Sequence, residues 1–469
     1  MTKVFMDILN KTIAYGLYLL AFLLPLQTRW IIKAGELEYS TFSLYGTDIL
    51  LILLLAMFAI YVIASDRRER SNPWFVEIYR RLLRRPEYGA SRNDRAAGWL
   101  ILGLLAMAFI SVFFAPDKVL ALYKFGWLIM GAGLFWLAAR AEYNKTWLVW
   151  SLLSGLALQS VLAVWQFLTQ LSFANKWLGL AAHNAADLGA SVIEIAGAAG
   201  AGERWLRAYG GMDHPNILGG ALAIGILLLA GQMMKNFQSK ILKIFNWLFL
   251  ILLAAALFFS FSRAAWLGLA AGLTVMLGGA AIRRDFRAQK NILQAVLVSG
   301  LLFFILFFQF SDLALIRLYG GGRLEVKSTN ERLESIKNSW PLIKKNWASG
   351  LGLGNYTLAL ERELPGRENY FYQPAHNVFL LVWSETGIIG FILFICLILY
   401  FIILNFLSAG RQVEMIINLG ILISLVVLLS FDHWLWSLHF GVLFFWLMTG
   451  LTLGRPAGKI AENDKPMIS

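Results

Sequence analysis

Along the 469 residues, apolar stretches of roughly 20 positions alternate with short polar breaks. A bilayer core about 30 Å thick is crossed by roughly 20 apolar residues in a helix. The pattern predicts twelve spans, near residues 13–27, 46–64, 97–115, 119–139, 147–171, 216–234, 241–260, 263–281, 291–310, 376–407, 413–431 and 434–452. The tenth is longer than a span needs and contains Gly387 and Gly390, which predicts a tilted, broken or re-entrant helix. The expected fold class is an all-α integral membrane protein of about twelve transmembrane helices, one polytopic domain over 1–469.

Two connections on one side are too long to be mere links, 172–215 and 311–375, and loops of that length carry function or structure of their own. In the first, GASVIEIAGAAGAGERWLRAYGG has two short alternating runs around a Gly/Ala turn and predicts a hairpin. In the second, STNERLESIKNSWPLIKKNW places Leu333, Ile336 and Trp340 on one helical face, with Ser328 and Glu331 at capping-box spacing. That predicts an amphipathic helix resting on the bilayer or the bundle and ended or kinked by Pro341. On the other side lies the strongly basic loop 65–96, read as a topology signal in contact with anionic headgroups and given no chemistry.

Composition agrees with the pattern. The chain is 59% hydrophobic and 15% charged, with mean hydropathy +0.65, against roughly a quarter charged in soluble domains. The single Cys396 lies in an apolar run, so no disulfide framework or cysteine metal cluster is expected. No cleavable leader stands out before the first span. A formal charge of +13 raises the question of nucleic acid, but in a membrane protein the placement of charge matters more than its sum. With both termini taken as cytoplasmic, the inner segments hold 24 Lys and Arg. The outer ones hold seven once the long loop 311–375 is set aside. Membrane lipid is therefore the expected surface partner, and nucleic acid is not.

Four short motifs gather at the expected outer face. LRAYGGMDHPNILGG carries Arg207, Asp213, His214 and Asn216, and FSFSRAAWLG carries Arg263 on a very short turn. PAHNVFL carries His376 and Asn377, and FDHW carries Asp432 and His433. Each has a plain structural reading. Arg263 snorkels, His214-Pro215-Asn216 starts a helix, Arg207 pairs with Glu203 or Asp213, and Asp432–His433 is interfacial structure. Glu385, two turns inside the tenth span, is either a functional intramembrane acid or a packing group bonded to a neighbour. GLGLGNY lacks the Lys-Ser/Thr of a phosphate loop and reads as a turn that lets backbone pass close to the bundle. No HExxH, paired CxxC or DxD-like cluster appears in an outer segment, so neither a metal nor another cofactor is expected.

Brought together, these side chains suit one substrate geometry, a diphosphate at the membrane surface with its lipid tail in the bilayer. Arginine forks pair with phosphate oxygens and remain charged. They also stabilise a diphosphate leaving group without a metal. An attacking hydroxyl needs a base near neutral pH, for which histidine is suited. Two arginines and a histidine on one face therefore fit group transfer from a polyprenyl diphosphate to an alcohol.

The HPN-x-LGG segment, the SRAAWLG turn, the NER…GLGLGNY stretch and the HN-x-FL…E-x-GIIG run together resemble the O-antigen ligase and Wzy-type polymerase superfamily, over about residues 205–390. The resemblance implies a glycosyltransferase that moves a glycan from undecaprenyl diphosphate to an acceptor hydroxyl on the periplasmic or outer face of the bacterial inner membrane, without metal and with inversion. It implies that Arg207 and Arg263 hold the diphosphate and that His376 is the base. His214 and Asn216 would shape the donor site, with Asn377, Glu385 and Arg332 in support. The basic loop 65–96 is longer than the resemblance leads one to expect. A ligase, a polysaccharide polymerase and a protein O-oligosaccharyltransferase share this chemistry and differ in acceptor; the ligase is preferred here. A lipid-linked glycan transporter is the reading from another class. It calls for ionisable groups near the midplane, where only Lys124 and Glu385 fall.

Overall fold

A computed structural model describes residues 3–66, 92–187, 189–195, 202–234, 240–320, 322–407 and 412–453. Most of the basic loop 65–96 and the C-terminal tail lie outside the described residues. Helices come first and dominate: α1 (Lys3–Leu23), α2 (Gly46–Asp66), α3 (Arg92–Val112), α4 (Lys118–Arg140), α5 (Lys145–Thr169), α6 (Pro215–Met233), α7 (Lys240–Phe259), α8 (Arg263–Ile282) and α9 (Phe286–Gln309). After the helical loop region come α13 (Val378–Leu407) and α14 (Gln412–Phe431). These eleven are long and apolar enough to cross a membrane, and the chain is an all-α integral membrane protein.

The expected twelfth span is different. It divides into a four-residue turn of helix, α15 (Trp434–Ser437), and α16 (His439–Thr452), whose 14 residues are short for a crossing. The break at Leu438 is extended, and it lets buried His439 bond to Asp48 at the start of α2 and stack on Tyr45 with ring centroids 3.8 Å apart. The first span also differs. It starts ten residues before the expected position, with Lys11 and Asp7 paired at i,i+4 on its exposed side.

Between the spans lie two small antiparallel hairpins. One joins β1 (Arg29–Lys33) to β2 (Phe42–Tyr45), and the other joins β3 (Val192–Ile195) to β4 (Glu203–Leu206) as the alternation predicts. The second long loop forms α10 (Ser311–Tyr319), α11 (Arg323–Lys345) and α12 (Tyr356–Glu363). The amphipathic helix is thus present as α11, but it begins at Arg323 rather than at the Ser328 capping box, and Pro341 lies inside it. Leu333, Ile336 and Trp340 remain largely exposed, so the stripe is not sunk into the bundle.

Helix α6 sits at the centre, buried on all sides. Its LGG motif explains how. Side chains at Gly219 and Gly220 would collide with Ser260 and Ser262 on one side and with Trp434 on the other. The two glycines draw the α7–α8 turn and the α14–α15 connection against the first turn of α6. Span ten is broken, one of the three forms its length and glycines predict: Gly387 has φ 71° and ψ 178° inside α13. The GLGLG backbone fills the break, with Leu351 N–H donating to Ser384 O (2.8 Å) and Gly352 N–H to Glu385 O (2.9 Å).

Candidate functional site

The site forms where the ends of α6, α8, α13 and α14 meet β4 and α11. Its foundation is the three-residue turn Ser260-Phe261-Ser262 between α7 and α8. Phe261 takes a left-handed conformation, φ 47°, uncommon for a non-glycine residue. Ser262 caps α8 by accepting from Ala265 N–H. The turn's carbonyls then face two guanidiniums. Arg207 Nε donates to Ser260 O at 2.8 Å, and Arg317 Nε donates to Phe261 O at 2.7 Å.

Arg207 is 4% exposed and does not pair with Glu203 or Asp213. Its Nη1 donates to Ser191 Oγ (2.7 Å) and its Nη2 to Asn216 Oδ1 (2.8 Å). The Asn216 amide relays onward, its Nδ2 donating to Asp432 Oδ2 at 2.9 Å. Arg317 Nη1 donates to both carboxylate oxygens of Glu325, whose Oε2 also lies 3.4 Å from Arg263 Nη2. Of these three arginines Arg263 is the open one, its side chain 29% exposed against 4% for Arg317. Arg332, on α11, lies within electrostatic reach of both halves, acting on Arg207 and Arg317 as well as on Asp432 and His376.

At the other end of this chain of contacts stands His376, immediately before α13. Its Nδ1 is 3.9 Å from Asp432 Oδ1 and has no hydrogen-bond partner, and its ring lies 5.2 Å from that of His433. Burial lowers the His376 pKa below the ordinary histidine value, Asp432 pulls it up, and the Arg332 cation pulls it down. The imidazole is therefore neutral at pH 7. His433 is lowered to about 4, burial again outweighing Asp432. Burial would raise Asp432, but the imidazoles of His433, His376 and His214 and the Arg332 cation hold its carboxyl well below the usual range. N–H donors from Asn216 and His433 also reach that carboxylate.

Of the eight residues singled out from sequence, six converge here. Arg207, Arg263, Arg332, His376 and Asn216 form the cluster described, and His214 borders it, capping α6 with Nδ1 accepting from Asn216 N–H. The pKa of His214 lies well below the ordinary value, through burial first and Arg207 second. Asn377 does something else: it caps α13 and ties it to Ser430 O at 3.0 Å. Glu385 is elsewhere. It accepts from Trp436 Nε1 (2.8 Å) inside the bundle, in a small cavity shared with Lys124, Trp127 and Ser437. Conversely, sequence reasoning passed over Arg317 and Glu325 and read Asp432 as interfacial structure, although it is the hub of the histidines. For Asp432 the signal was its depth beside His433; for the Arg317–Glu325 pair no local pattern gives one.

His376, Asp432 and His433 each offer one ligand atom, all within 4.8 Å of one another. The His376–Asp432 and His433–Asp432 separations of 3.9 and 4.0 Å exceed the roughly 3.3 Å between ligands on a tetrahedral zinc with bonds of about 2.0–2.1 Å. The cluster is thus wider than a preformed tetrahedral zinc site.

Residues 248–395 match the family model described as O-antigen ligase. The match covers just under a third of the chain. The chain's eleven long apolar helices make it a multi-pass membrane protein. The matched segment runs from α7 into α13 and contains Arg263, Arg317, Glu325, Arg332 and His376. Arg207, His214, Asn216 and Asp432 join the same cluster from outside the matched segment. No curated protein matches the chain.

Proposed function

We propose that the protein transfers a glycan from undecaprenyl diphosphate to an acceptor hydroxyl, as an O-antigen ligase, at the membrane face that holds Arg263 and His376. The observation that carries this reading is the array Arg207, Arg263, Arg317 and Arg332 beside the neutral imidazole of His376 and the Asp432 carboxylate it faces. The Lys and Arg distribution supports an outer-face site in a bacterial inner membrane with both termini cytoplasmic.

The donor diphosphate lies against Arg263 and Arg332, with Arg207 and Arg317 held rigid behind them by the α7–α8 turn. His376 turns Nδ1 toward Asp432, which leaves Nε2 to take the proton of the acceptor hydroxyl. The acceptor oxygen bonds to the anomeric carbon, the bond from that carbon to the phosphate oxygen breaks on the opposite face, and undecaprenyl diphosphate departs with the electron pair. The result is inversion. Charge develops on the leaving diphosphate where the preorganised guanidiniums already point, so no metal is required.

The test is to supply purified protein with an undecaprenyl-diphosphate glycan and, in turn, a lipid A core, a second lipid-linked repeat and a Ser/Thr-bearing polypeptide, and to identify products by mass. Transfer to lipid A core supports the ligase. Transfer only to the second repeat or only to polypeptide makes the protein a polymerase or a protein O-oligosaccharyltransferase. No transfer and no donor consumption removes the proposal.

A further inference from the structure

The hairpin β1–β2 lies outside the matched family segment, yet it reaches the site. Its turn carries Glu38-Tyr39-Ser40, and the Tyr39 ring meets the His433 ring edge-on at 5.5 Å. The hairpin is braced there. Tyr123 hydroxyl bonds both the N–H and C=O of Ser43 (2.8 and 2.6 Å), Thr28 Oγ1 donates to Trp177 O at 2.7 Å, and Asn369, in the loop leading to His376, donates to Glu36 O at 3.4 Å. Tyr39 feels Glu38, Asp432 and Asp213 together, and Glu38 feels Asp213 and Arg29. Burial and these carboxylates push the Tyr39 hydroxyl well above the usual phenol range, so it is a neutral hydrogen-bonding group.

Charge is thus sorted across the histidines. Four arginines stand on one side; on the other, Glu38 and Asp213 outnumber the single Arg29 cation of β1 beside the Tyr39 ring. A diphosphate is attracted to the first side and repelled by the second. A sugar is suited to the second, where a ring face can pack on Tyr39 and hydroxyls can donate to carboxylates, as charge-assisted hydrogen bonds favour.

We propose that the β1–β2 hairpin, through Tyr39 and Glu38 with Asp213 opposite, forms the acceptor subsite and selects a glycan whose terminal sugar is uncharged rather than anionic. This inference rests on the glycosyl-transfer reading and adds the sidedness of its two substrates. Because β1–β2 is held by its own contacts with α4 and the loop before His376, the subsite is preorganised and its residues set acceptor specificity without taking part in bond making.

The test uses full-length protein in nanodiscs, an undecaprenyl-diphosphate glycan as donor, and two lipid-linked acceptors that differ only in a terminal hexose or hexuronate. Wild type is expected to favour the hexose acceptor by tenfold or more in kcat/KM. Glu38→Gln, which is isosteric, should narrow that preference to about threefold or less. Tyr39→Ala should raise the acceptor KM about tenfold for both acceptors, and donor Kd should stay within about twofold in each variant. Unchanged acceptor KM and selectivity in both variants, or a raised donor Kd with normal acceptor KM, overturns the acceptor subsite while the transferase stands. Wild type that consumes the donor neither by transfer nor by hydrolysis overturns the transferase reading and this inference with it.

Discussion

Asn216 donates to Asp432 at 2.9 Å while its own carbonyl oxygen accepts from Arg207. One amide thereby couples the arginine side of the site to the carboxylate that faces His376. Replacing it with Leu keeps the volume but leaves a buried guanidinium N–H and a buried carboxylate oxygen each short of a partner, at about 1–3 kcal/mol apiece. Asn216→Leu should lower the melting temperature of the purified protein by several degrees and reduce transfer in the fraction that remains folded. Near wild-type values of both would show that the relay is incidental.

His376→Ala should remove the base and nothing else. General-base catalysis contributes roughly a hundredfold to ten-thousandfold, so transfer should fall by that order while donor Kd, read by titration, stays near wild type. The pH profile carries the sign. Burial lowers the His376 pKa, the reactive form is the neutral one, and the acidic limb of kcat/KM should therefore lie below the free histidine value of about 6.5. Asp432 pulls that pKa upward, so Asp432→Asn should move the limb further down as well as slow the reaction. A limb that moved up, or that persisted unchanged in His376→Ala, would assign the titration to another group.

Arg263 and Arg317 share Glu325 but differ in burial. Arg263 is open toward the site, whereas Arg317 is almost wholly enclosed. Arg317→Ala removes the closer and more buried of the two cations on Glu325 and the donor to Phe261 O, and breaking a buried pair costs up to about 3–5 kcal/mol. It should therefore depress both thermal stability and activity. Arg263→Ala should instead weaken donor binding with little change in melting temperature, because Arg317 still neutralises Glu325. Thermal denaturation beside donor titration separates the two. Equal destabilisation would place Arg263 in the scaffold rather than in the donor site.

The carboxylate of Asp432 already accepts from Asn216 and from His433 N–H, and the histidine nitrogens stand too far from it for a preformed tetrahedral centre. Transfer should therefore persist in excess chelator within about twofold of the untreated rate, whereas added zinc should inhibit by drawing His376 and His433 together. Loss of activity on chelation, restored by a divalent ion, would convert this cluster into a metal centre.

How far the sequence discloses this molecule depends on the range of the forces involved. The spans are legible because crossing a bilayer imposes about 20 apolar residues on each helix locally. The depth of Arg263, His376 and Asp432 follows from where those runs begin and end. The break at Leu438 is not legible, because it is caused by Asp48, some 390 positions away along the chain, accepting His439 into the bundle. The same holds for Glu325: read from its capping residues, its helix begins at Ser328. The real start at Arg323 is fixed by tertiary bonds, Arg323 to Glu194 on β3 and Glu325 to Arg317. For Glu385 the sequence gives depth in the span but not the direction in which it faces; of its two readings, the structure has the group bonded to a neighbouring segment, through Trp436.

The last relationship joins backbone to backbone. At Gly387 the chain adopts φ 71° and ψ 178°, a region that is essentially reserved for glycine and costs other residues about 1–3 kcal/mol. A side chain there would also run into the carbonyl oxygen of Ala348. That carbonyl cannot retreat, because Ile388 N–H bonds to Trp347 O at 2.8 Å and Leu351 N–H to Ser384 O at 2.8 Å. The GLGLG strip and the broken helix thus lock each other, and the upper half of α13, led by His376, is held in place by that lock. Gly387→Ala should lower the melting temperature and reduce transfer per folded molecule. Gly300→Ala, on the exposed side of α9 with open space around it, should leave both unchanged or slightly raise stability, as alanine favours helix over glycine by about 1 kcal/mol. If the two substitutions behaved alike, the break in α13 would be a local irregularity with no bearing on where His376 stands.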